Sequence, residues 1–107
     1  MFITMNRIPV HQGQWPDFEE RFRNRIGLVD QAPGFIRNMV LRPTDDTGDC
    51  HIVLTMWENR EAFENWTKSD SFLQAHYRAR QDAQKAKETF KGPSKLETFE
   101  SVTDTGA

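Results

Sequence analysis

An imidazole at position 76 and an indole at position 66 are the side chains in this sequence best suited to chemistry on a bound ligand. Imidazole ligates metals or moves a proton near neutral pH, and indole offers a large, rigid apolar wall. Both lie in WENREAFENWTKSDSFLQAH, residues 57–76. In one straight helix, ten residues would leave Trp66 and His76 roughly 80° apart around the axis and about 15 Å apart along it. They address one pocket only if the chain bends between them. Lys68-Ser69-Asp70-Ser71 supplies the bend, because Ser and Asp cap a new helix better than they continue an old one. The spacing predicts a short helix over 61–66 with Ala62, Phe63 and Trp66 on one face, then a second with Phe72, Ala75, His76 and Ala79 aligned. The two residues then stand on two walls of a cleft. Taken singly, an imidazole on an apolar helix face is more often a packed side chain than a ligand, and a lone Trp is ordinary core.

The elements that must position them can be read in order. Residues 2–10 alternate as a strand, with Phe2, Thr4, Asn6 and Ile8 on one face and Ile3, Met5 and Arg7 on the other, ended by Pro9. His11-Gln12-Gly13-Gln14 is a turn. Pro16 opens an amphipathic helix over 15–31 whose apolar stripe is Trp15, Phe18, Phe22, Ile26 and Val29. Glu19, Glu20, Arg23, Asn24 and Asp30 are expected on its solvated face. Ala32-Pro33-Gly34 stops the helix, and strands follow at 35–42 and 50–58, joined by the loop 43–49. The second of these is apolar on both faces: Cys50, Ile52, Leu54 and Met56 on one, Val53, Thr55 and Trp57 on the other. The polar run 78–91 is expected to begin helical and end as a mobile loop broken by Gly92-Pro93, before a last strand over 95–102 and a frayed tail at 103–107.

Strand, helix, strand, strand, helices, strand is the α+β ferredoxin-like βαββαβ order: an antiparallel sheet with helices on one face, in a single domain over 1–107. Helices cover only one face, yet the third strand is apolar on both, so the remaining face calls for a second copy, as a homodimer packed sheet to sheet.

The 107 residues carry a formal net charge of −2 and a pI near 5.9, with Lys and Arg matched by Asp and Glu; this excludes the basic footprint of nucleic-acid binding. Eight Phe, three Trp and one Tyr fall in periodic segments, which favours a fold over disorder. A single cysteine, Cys50, allows no internal disulfide and reads as an incidental thiol. MFITMNRIPV has neither a basic leader nor a long apolar run, and no stretch approaches the ~20 residues of a membrane span, so a cytoplasmic protein with no membrane partner is expected. His11 and His51 are expected to be solvated. No phosphate-cradling Gly-rich loop and no metal-spaced His or Cys pair is present.

FITMNRIPV, FEERFRNRIG, APGF and TMWENREAFENWTKSDSFLQAH together resemble the antibiotic-biosynthesis-monooxygenase superfamily of dimeric α+β barrels, and within it the IsdG-type haem-degrading monooxygenases. APGF and T-x-W-x-N-x-E-A-F belong to the superfamily at large. Three positions are more specific, because the haem-degrading branch uses an Asn on the first strand, a Trp on the short helix and a His on the next; here they are Asn6, Trp66 and His76. The resemblance implies haem as both substrate and oxygen-activating cofactor, with His76 as axial iron ligand, Asn6 hydrogen-bonding on the oxygen side, and Trp66 pressing the porphyrin out of plane. It further implies O2 and an external electron donor, a reductase or small-molecule reductant, with ring opening and release of iron. Phe22 is a candidate ligand contact, and Arg21, Arg25 and Arg78 are candidates for the propionates. Two other functions fit the same scaffold: a cofactor-free monooxygenase acting on a quinol or polyketide, which would not bind haem, and a haem carrier, which would bind it without turnover.

Overall fold

A computed structural model describes residues 1–24, 28–45, 48–74 and 87–106. Alternation of side chains sets the sheet. Strands β1 (Phe2–Ile8), β2 (Phe35–Leu41), β3 (His51–Trp57) and β4 (Lys95–Glu100) pair antiparallel in the order β2-β3-β1-β4. The register sets Phe2 against Trp57, Thr4 against Thr55, Asn6 against Val53 and Ile8 against His51. Period two therefore collects these eight on one face, and six of them are buried. That face carries the helices α1 (Trp15–Arg23) and α2 (Arg60–Thr67). This is the ferredoxin-like α+β architecture that the segment order implied.

Two apolar clusters form between helices and sheet. Phe2, Val29, Trp57, Ala62 and Trp66 make one, near the start of β1. Ile8, Val10 and Phe18 make the other at its far end, with Trp15, Phe22, Val40, Val53 and Phe90 packed around them. Ile3, Met5, Leu54, Met56 and Met39 share the opposite face, which among the described residues carries no helix.

The first helix is shorter than its apolar stripe suggested. Instead of one helix over 15–31, α1 closes at Arg23, with the Asn24 N–H donating to the Glu20 carbonyl, and Val29–Gln31 is a separate 3-10 turn. Asn24 and Gly27 are both weak helix formers, and Asn24 turns its side-chain amide to Glu20 instead of prolonging the helix. The end of the polar run also departs from the mobile loop expected. Residues 87–89 are helical, Phe90 bridges Val10, and Thr89 is fully buried. The His11 N–H donates to Thr89 O at 2.9 Å and the Lys91 N–H to Pro9 O at 2.9 Å, while the Phe90 ring meets Phe18 edge-on. Phe90, the buried Thr89 and these two backbone bonds together anchor the segment.

The break between the helical pieces falls where the Ser/Asp cluster put it. Asn59 caps α2 by accepting from the Ala62 N–H at 2.9 Å. Ser69 ends it by donating to Trp66 O at 2.7 Å, and accepts from the Phe72 N–H at 3.2 Å to start the helical turn 70–74.

Gly34 locks the turn before β2 to α2. Its φ is +82°, and a Cβ there would lie 2.5 Å from that of Ala62. Gly34→Ala should cost about 3 kcal/mol, from the left-handed penalty plus overpacking. Urea unfolding would measure it, and an unchanged midpoint would show that the turn relaxes freely.

Candidate functional site

Between the two apolar clusters lies a belt of polar residues, Thr4, Asn6, Asn38 and Thr55, and here the structure is hollow. A cavity of about 170 Å³ is lined by Asn6 from β1, Phe22 from the last turn of α1, Trp57 from β3, and Phe63 and Trp66 from α2. A larger cleft of about 660 Å³ adjoins it, sharing Phe22, Val29 and Asn38, and extends past Val40 to Arg23, Arg42 and His51.

Trp66 is wedged in place. Its ring lies 6.5 Å from that of Trp57 at 32°, and the Phe72 ring meets it edge-on at 5.8 Å. Asn38 donates to the Thr55 hydroxyl at 2.9 Å, so two of the polar belt satisfy each other. The Trp57 Nε1–H has no hydrogen-bond partner among the described residues, although Trp57 is only 1% exposed. A buried donor left unpaired costs free energy.

At the far end of the cleft, two expectations fail together. His51 and Glu19, both expected in solvent, are buried at 1% and 8% exposure. His51 Nε2 lies 2.8 Å from Glu19 Oε2, with its ring between the edges of Trp15 and Phe18, each 5.1 Å away. Arg42 closes on the same carboxylate through Nε, at 2.8 Å, and Nη2, and Arg23 stands 3.8 Å off. Arg42 donating to Glu19 holds its carboxyl at about 2, against an ordinary 4.5; burial opposes this and His51 assists it. The signal was present in the sequence: Glu19 stands four residues after Trp15 and three before Phe22, inside the apolar stripe, and His51 alternates in phase with Val53, Thr55 and Trp57.

Of the residues singled out from the sequence, Asn6, Phe22 and Trp66 meet at the smaller cavity. Arg21 is exposed and turns to the Thr89 hydroxyl at 3.4 Å. Arg25, His76 and Arg78 lie outside the described residues. Among the described residues the cations that line the cleft are Arg23, Arg37 and Arg42, none of which the sequence marks as a ligand contact.

The sequence profile of antibiotic biosynthesis monooxygenases matches residues 1–78. The chain belongs to the antibiotic biosynthesis monooxygenase family. Its relatives in this family include a mycobilin-producing heme oxygenase of Mycobacterium tuberculosis, 35% identical over 104 residues, which are 97% of this chain and 91% of that protein. The fold of this monooxygenase-family chain superposes on a MhuD variant holding two manganese protoporphyrin IX per active site, with TM-score 0.81, 31% identity and full coverage of both chains. It also superposes on the heme degrader MhuD of M. tuberculosis with two hemes bound, with TM-score 0.76, 31% identity, and 99% and 100% coverage. SnoaB, a cofactor-independent oxygenase of Streptomyces nogalater, shares the fold at TM-score 0.69 and 21% identity, covering 96% of this chain and 94% of that one.

The Glu19 carboxylate sets an acid dependence. A folded-state value near 2 lies below the ordinary 4.5, so ionised Glu19 contributes stability that is whole above about 4.5 and is lost as pH falls toward 2. Glu19→Gln should lower the urea midpoint at pH 7, and the gap from wild type should close between pH 4.5 and 2. A gap that stays constant across that range would sink this assignment.

Proposed function

We propose that this chain is a haem-degrading monooxygenase, which binds haem in the cleft and, with O2 and an external reductant, opens the porphyrin and releases iron. The observation that carries this is the meeting of Asn6 and Trp66, sixty residues apart in sequence, at one cavity, in a chain 35% identical to a mycobilin-producing heme oxygenase.

The lining suits such a ligand. Phe22, Val29, Val40 and Trp66 offer apolar walls to a flat macrocycle, and the guanidiniums at the cleft's far end suit its acid groups. When bound, haem supplies the iron at which oxygen is activated with electrons from outside. The chain's own residues do the rest. His76 stands four residues after Phe72 in sequence, and Phe72 packs on Trp66; in this reading the His76 imidazole would hold the haem iron. Asn6 offers an amide N–H on the oxygen side without titrating. Trp66, pinned between Trp57 and Phe72, resists a planar ring. The apolar sheet face of Ile3, Met5, Leu54 and Met56 is covered by a second copy, giving a homodimer of one-domain chains working in the cytoplasm; Met5→Lys, in the middle of that face, should yield a monomer by sedimentation.

Titration with haemin should raise a Soret band that ascorbate bleaches with release of iron. His76→Ala should abolish tight binding. Asn6→Ala should keep binding and slow bleaching by about 10²-fold, the usual loss for one preorganised donor. Trp66→Phe is preferable to Trp66→Ala, because emptying this buried site would cost about 3–5 kcal/mol of stability; it should bind haem and bleach it slowly. Tight binding with an unchanged spectrum after reductant would make the protein a carrier, and no Soret band at all would point to cofactor-free oxygenation.

A further inference from the structure

We infer that Arg42 and Arg23 form a preset clamp for the acid groups of the ligand, held in place by the buried pair Glu19 and His51; this rests on the haem-binding reading above. Three observations converge. First, the distance suits it. Asn6 pairs with Val53 and Val53 with Val40, so Val40 lies two strands away, about 10 Å from Asn6. Arg42 follows Val40 by two residues, on the same face, at the far end of the cleft, and Arg23 follows Phe22 there from α1. A macrocycle centred beside Asn6 and lying over Phe22 and Val40 extends its acidic edge toward this pair.

Second, the donors are available. Glu19 takes the Nε and Nη2 side of Arg42, and among the described residues the Nη1 N–H groups of the five-donor fork have no partner. The Arg42 and Arg23 side chains are 58% and 63% exposed, whereas those of Glu19 and His51 are 9% and 1% exposed. The anchor is buried and the cations face outward.

Third, charge favours it. Among the described residues the charged groups lining the cleft are Arg23, Arg37 and Arg42 against Glu19 and Asp30. Taken together, the three guanidiniums outweigh the two carboxylates by one charge, and the pairing of Arg42 with Glu19 leaves Arg23 and Arg37 against Asp30, so the balance still favours an incoming carboxylate. Glu19 and His51 thus act through Arg42 as positioning residues: they fix the fork before the ligand arrives, and the ordering cost does not fall on binding.

Comparing haemin with haemin dimethyl ester, in which both carboxylates are masked, tests the clamp by Soret titration. Wild type should bind the diacid about ten- to a hundredfold more tightly than the diester, the worth of one charge-assisted hydrogen bond. Arg42→Gln and the exposed Arg23→Gln should each weaken haemin about tenfold and leave the diester unchanged, and Arg42→Lys should restore only part of the loss, for want of the planar fork. Glu19→Gln should likewise weaken haemin alone. Equal affinity of wild type for diacid and diester, or variants that weaken both ligands alike, would overturn the clamp while leaving haem binding intact. No binding of either ligand would remove the haem reading itself and the clamp with it.

Discussion

The packing of Trp57 is the constraint from which the site follows. Its ring closes on Phe35, Phe63 and Trp66 at centroid distances of 5.9, 6.1 and 6.5 Å, so a single residue at the end of β3 ties the edge strand β2 and the helix α2 to the sheet. Aromatic contacts of this kind add to area burial through edge and face complementarity. With Trp57 fixed, Trp66 has one place to go, and the cap at Asn59 with the stop at Ser69 gives α2 the length that takes it there.

A cleft exists because the core is not continuous. One cluster gathers around Trp57 and the other around Phe18, and between them the inward face of the sheet presents Thr4, Asn6, Asn38 and Thr55 in place of large apolar side chains. Short polar residues at adjacent register positions leave space that neither cluster fills. The same positions that forgo core burial therefore supply the cavity and its amide.

Much of this was legible in the sequence. Period-two alternation gave the faces of β1 and β3, and the Ser/Asp cluster located the break after Trp66. What was lost came from treating charge as a marker of exposure. Glu19 and His51 sit at apolar positions of their elements and are buried because they bond each other, with Arg42 arriving from just past the end of β2, twenty-three residues from Glu19 in sequence. Pairing of this kind depends on tertiary proximity, which periodicity in one segment does not encode. The length of α1 was misjudged for a related reason: the stripe through Val29 is real, since Val29 is buried, but the chain reaches that position by a separate 3-10 turn.

The neighbouring, tilted indoles of Trp57 and Trp66 give the cleft a built-in optical signal. Both border the smaller cavity, and one carries an unbonded N–H. Ultraviolet emission from these rings therefore responds to whatever enters: a polar visitor reddens it, and a strongly coloured one drains it by energy transfer. The third indole, Trp15, is already hydrogen-bonded to the Val10 carbonyl at 3.1 Å and lines neither of these cavities, so a polar visitor reddens the other two and leaves it unchanged, whereas energy transfer to a coloured one reaches all three.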